Sequence, residues 1–125
     1  MMKKIFNQGF IMAYGRNARF EPIRELAFGG IGAAYSDVGT LTTDYTRLFS
    51  ITNTTDVDLY ISLDGTTNHI RVVSGSAKVF DITSNKVRDD GMFIPKGTVF
   101  SVKRAAGAPS TGLVSIEVMY ASGGV

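Results

Sequence analysis

The feature that most constrains this chain is a period of two. Val57, Leu59, Ile61 and Leu63 are apolar, and Asp58, Tyr60 and Ser62 stand between them. Successive strand side chains point to opposite faces, so such a run makes a strand with one dry face and one wet face. Val114, Ile116, Val118 and Tyr120 repeat the pattern around Ser115, Glu117 and Met119. Shorter versions are Phe49-Ser50-Ile51, Ile70-Arg71-Val72, Phe80-Asp81-Ile82 and Phe100-Ser101-Val102, and Met92 to Ile94 makes one more short run. No helix-period run of useful length competes. The one helical expectation is a single turn between Pro22 and Leu26.

Turn chemistry separates these runs. Asn53-Thr54-Thr55-Asp56, Asp64-Gly65, Ser74-Gly75, Asp90-Gly91, Pro95-Lys96-Gly97 and Ala108-Pro109 lie between them. Asn and Asp side chains bond nearby backbone, and Pro and Gly suit turn dihedrals. Strands at this spacing predict an all-β protein with one antiparallel β-sandwich or barrel. The expected core is Phe49, Ile51, Leu59, Ile61, Ile70, Val72, Phe80, Phe100, Val114, Ile116 and Val118. A chain of 125 residues is the size of one domain and can bury such a core unaided.

Residues 1–46 differ in character. They are rich in glycine and arginine and have no sustained period, so they read as an N-terminal extension and docking arm, with the β-sandwich domain in residues 47–125. The first eleven residues read as an upstream extension or loose tail, because Met12-Ala13-Tyr14-Gly15 is a second plausible start. Over residues 1–27 Lys3, Lys4, Arg16, Arg19 and Arg24 outnumber Glu21 and Glu25 by three. The apolar Phe20, Ile23, Leu26, Phe28 and Ile31 accompany them. Arg16, Arg19, Phe20, Ile23, Arg24, Leu26, Phe28 and Ile31 are therefore the expected interface residues, the arginines pairing with a partner's carboxylates. An arm folded back on its own sandwich is the competing reading.

Chemistry finds little purchase. The chain has no cysteine and a single histidine, His69, read as a surface or packing residue. No serine sits in a nucleophile elbow with a base in view. Asp56, Asp58 and Asp64 lack the spacing of a calcium loop and read as solvated turn and edge residues. Gly29-Gly30-Ile31-Gly32 lacks the lysine and hydroxyl of a phosphate loop. Asn53-Thr54-Thr55 matches the short glycosylation pattern. The expectation is no enzyme, no cofactor and no metal. The formal charge of +2 and the lack of a strand alternating aromatics and cations argue against a nucleic-acid partner. No apolar run is long enough to span a bilayer.

Arg47 to Gly65, the run Phe93-Ile94-Pro95-Lys96-Gly97-Thr98, and the opening Met12 to Asn17 with Phe20-Glu21-Pro22 resemble small tailed-phage virion proteins. The resemblance covers most of residues 12–120. It implies a jelly-roll-like sandwich repeated many times in a particle, as capsid decoration or cement or as a neck or tail component. Expected partners are further copies of the chain and other virion proteins, and the expected location is the virion, assembled in the host cytoplasm. The alternative is a carbohydrate- or receptor-binding sandwich, for which Tyr14, Tyr35, Tyr45 and Tyr60 are the candidate contacts.

Overall fold

The computed structural model describes residues 16–82 and 94–123. The long strand β9 (Leu113–Gly123) is the axis of the first sheet. One of its sides pairs with β1 (Arg16–Phe20) and then β2 (Arg24–Ala27), both antiparallel. Its other side pairs with β4 (Thr46–Asn53), which pairs in turn with β7 (Ser76–Asp81). The second sheet runs β3 (Ser36–Asp37), β8 (Ser101–Arg104), β5 (Leu59–Ser62) and β6 (Ile70–Val72).

The order has a simple logic. β1 and β2 are one edge strand interrupted at Glu21-Pro22-Ile23, because both lie along β9. The first strand then pairs with the last, β3 with β8, β4 with β7 and β5 with β6. This long antiparallel hairpin is wrapped so that β9 also meets β4 and β8 also meets β5. That is a jelly roll, two antiparallel sheets face to face. Between the sheets the two arms stay paired: Thr42 N donates to Thr98 O at 2.9 Å, and Thr46 and Ile94 exchange bonds at 2.9 and 3.0 Å.

The core lies where the alternating runs face each other. Phe49, Ile51, Val114, Ile116 and Val118 come from the first sheet; Leu59, Ile61, Val72 and Val102 come from the second, joined by Phe100. Register brings Ile116 opposite Ile51 and Val118 opposite Phe49. The Phe49 ring stacks on Phe80 at 4.9 Å and tilts against Phe100 at 5.2 Å. Ile70 and Phe80 are half-buried at the margin instead of fully enclosed, because both belong to edge strands. Asn53 is fully buried. Its amide donates to the carbonyls of Val57 and Val72, both at 2.9 Å, and its carbonyl accepts from Thr55 N. It closes a turn from within the core, which removes it as a glycosylation acceptor.

Three expectations are corrected. Residues 16–46 are woven into the sandwich, supplying one edge of each sheet, and Ile31 and Val38 join the core at 5% and 0% exposure. The boundary at residue 46 therefore does not separate arm from domain; the extension before Arg16 lies outside the described residues. The helical turn at Pro22–Leu26 is a strand from Arg24, and the helical turn is a 3-10 turn at Phe28–Gly30. The run from Val57 to Leu63 forms a strand only over Leu59–Ser62, with Val57 and Leu63 packed half-buried at its ends. Of the run at Met92, Ile94 forms a bridge to Thr46, and the Asp90-Gly91 turn lies outside the described residues.

Candidate assembly surface

Pro22 has no N–H to donate, so the edge strand breaks beside it. The break is locked from below. Arg24 Nη2 donates to Glu21 Oε1 at 2.6 Å, and both side chains are about 95% buried. Arg24 Nε donates to the Thr40 carbonyl at 3.1 Å and Nη2 to that of Leu41 at 3.3 Å. Glu21 Oε2 accepts from Thr43 N at 3.1 Å and from Thr43 Oγ1 at 3.3 Å. The loop from Gly39 to Thr43 is thereby tied to the edge strand. Gly39 is required here: its φ is +76°, and a Cβ would stand 2.6 Å from Arg24 Cγ.

This clasp sets out an apolar surface. Pro22, Ile23 and Leu41 share the wall of an open cavity of about 350 Å³. Ile23 and Leu41 are 52% and 51% exposed, and Phe20, the last residue before the break, is 68% exposed. Exposed apolar side chains grouped on a fixed backbone are a common mark of an interaction site. The outer edge of β1 pairs with no other strand among the described residues.

The expected interface residues divide. Ile23 stands on this surface, Phe20 is exposed just before the break, and Phe28 is exposed beyond β2. Arg19 is exposed opposite Tyr120, and Arg16 pairs by its backbone with Gly123. Arg24 and Ile31 are buried, and Leu26 is half-buried against the core. Arg24 finds its carboxylate in Glu21 of its own chain, three residues earlier, so a partner's carboxylate is not its role. Leu41 was missed; it is a lone apolar residue among threonines, and only the clasp places it beside Ile23.

The aspartates are each engaged separately. Asp56 accepts from Ser110 N and Oγ, Asp58 from Arg71 and Ser74 N, and Asp64 from the Thr66 and Thr67 amides and Ser62 Oγ. These bonds hold all three carboxyls below the usual carboxylate range. Among the described residues no three His, Cys, Asp or Glu side chains gather in a metal-holding group. His69 is exposed, and its Nδ1 accepts from Leu63 N at 3.0 Å.

The clasp also responds to acid. Burial pushes the Glu21 carboxyl up, but the Arg24 guanidinium and the Thr43 donors outweigh it, and the net shift is downward. A depressed folded value means that this stabilisation is complete above the ordinary glutamate range and is lost as pH falls through the folded value. Denaturation of Glu21→Gln measured from neutral to acid pH is expected to show a shallower loss of stability than the unmodified chain. Parallel pH profiles for the two would show that the pair contributes no acid sensitivity.

No protein-family model and no curated protein matches the chain. Among the described residues no helix is long and apolar enough to cross a membrane.

Proposed function

We propose that the chain is a non-enzymatic structural subunit of a phage particle, packing against further copies of itself and against other virion proteins. It would serve as capsid decoration or cement, or as a head-tail or tail component, and would reside in the virion after assembly in the host cytoplasm. The observation that carries this reading is the apolar pair Ile23 and Leu41, held on one cavity wall by the clasp, with exposed Phe20 just before the break. Solvent gains nothing from these side chains, yet a buried ion pair and four further hydrogen bonds fix the loop and strand that present them. Packing on a partner would bury them at roughly 25 cal/mol per Å². The jelly roll supports the reading, since it is an architecture of viral capsid and lectin domains.

Mass spectrometry of gradient-purified particles from a phage encoding the chain tests it. Recovery in many copies per particle is expected, and absence from intact particles would overturn the proposal. Within the same system the double variant Ile23→Asp, Leu41→Asp changes only exposed side chains. It should fold, with an unchanged thermal midpoint, and be lost from the particle. Full incorporation would move the docking surface elsewhere on the molecule.

A further inference from the structure

The outer face of the second sheet carries a row of side chains that no single segment of sequence contains. Register sets Lys103 of β8 beside Tyr60 of β5, and Tyr60 beside Arg71 of β6. Ser36 pairs with Val102, so Tyr35, one residue earlier, extends the row beside Lys103. The contacts follow the register. The Lys103 ammonium lies 5.0 Å from the Tyr35 ring centre and 5.9 Å from that of Tyr60, and the Arg71 guanidinium lies 5.7 Å from Tyr60. The order across the four strand positions is aromatic, cation, aromatic, cation. Arg71 Nη2 also donates to Asp58 at 2.7 Å, whereas Lys103 has no carboxylate within ion-pair distance among the described residues.

We propose that this row binds an acidic polysaccharide, a linear chain of sugar rings bearing carboxylates. Tyrosine combines an apolar ring with a polar tip, which suits the C–H face and hydroxyl rim of a sugar. Lys103 supplies a compact charge for a carboxylate, and among the described residues its ammonium lies against the two tyrosine rings. Arg71 and Asp58 together offer donors and acceptors to sugar hydroxyls. Adjacent strands are about 4.8 Å apart, so Lys103 and Arg71 stand on strands about 10 Å apart, close to the length of two sugar rings. A polyuronate carries an acid on every ring, so one ring can set its carboxylate on Lys103 while another, two rings along, sets its hydroxyls on Arg71 and Asp58. Nucleic acid fits less well, since its affinity comes from many phosphate contacts. The row holds two cations, Asp58 neutralises one of them, and Asp64 lies close enough to Tyr35 to act on its hydroxyl electrostatically. The inference is independent of the assembly surface, which lies on the edge of the other sheet.

The test is a titration of the full, isotope-labelled chain with oligogalacturonate, with neutral cello-oligosaccharide and oligo-dT in parallel. Oligogalacturonate is expected to move the amide resonances of Tyr35, Tyr60, Arg71 and Lys103 in a saturable way. Its affinity should fall about tenfold or more in Lys103→Met and in Tyr60→Ala, as expected for loss of one charge-assisted or stacking contact. Lys78→Met, on β7 of the other sheet, should leave it unchanged. Saturable shifts confined to the row support the proposal without reliance on any variant. No response to oligogalacturonate, shifts mapping elsewhere, or equal binding of the neutral sugar would overturn it. Equal or tighter binding of oligo-dT would also overturn it and assign the row to nucleic acid.

Discussion

Replacing Gly112 by alanine is expected to lower stability by about 3 kcal/mol or more, a large effect for one methyl group. Two costs act together. The residue enters β9 at φ +84°, in the left-handed region that a side chain disfavours. A Cβ there would also stand 2.2 Å from the Thr54 carbonyl oxygen and 2.6 Å from its carbon. That neighbour is backbone and cannot swing aside. It belongs to the turn that Asn53 closes and that is stitched to β9 by Thr54 N donating to Leu113 O at 3.0 Å. Relief would require the turn to leave the strand, with loss of that bond and of the Phe28 N to Gly112 O bond at 3.0 Å. Chemical denaturation of Gly112→Ala beside Gly107→Ala checks this. Gly107 has open space and an ordinary φ, so its change should stay within about 0.5 kcal/mol. Equal midpoints for the two variants would show that the approach of Thr54 to β9 is looser than the backbone indicates.

Truncating Phe49 to alanine is expected to cost about 3–5 kcal/mol. The ring is 3% exposed and meets rings from two other segments of the chain. It stacks on Phe80 across the β4–β7 pair and reaches across the sandwich to Phe100. Its removal opens a cavity between two sheets whose hydrogen bonding fixes their backbones, so collapse to fill it is restricted. The loss should also expose the inner side of Phe80, already half-buried at the edge. Val79→Ala, one residue from Phe80 and 65% exposed, is the matched control and should change stability by under about 0.5 kcal/mol. A denaturation midpoint for Phe49→Ala close to that of Val79→Ala would mean that the ring cluster is not a packed part of the core.

The two sheets were legible in the sequence because a strand's burial is written at a spacing of two. Ile51, Leu59, Ile61, Val114, Ile116 and Val118 declare their dry face through their immediate neighbours, and no distant partner is needed to read them. The turns were legible for the same local reason. Glycine, proline and aspartate act on their own few bonds, as at Asp64-Gly65 and Ser74-Gly75. Ile31 and Val38 could not be read this way. They lie in irregular backbone between glycines, and their burial depends on which strands the chain crosses on its way between sheets.

Tertiary structure alone decided the rest. Arg24 looked like a free docking cation, but the break at Pro22 turns it inward onto Glu21 and onto the carbonyls of the loop containing Leu41. A basic residue beside apolar ones has the same local pattern whether it meets its own chain or another. The row of Tyr35, Lys103, Tyr60 and Arg71 is the clearest case. These residues are separated by up to 68 positions, and each of the four lies in a different segment of the chain. Register between antiparallel strands is set by the packing of the inner faces, where Ile61 lies opposite Val102 and Leu59 opposite Val72. The outer row is a consequence of that inner packing: the sequence supplies each member, and only the sheet places them side by side.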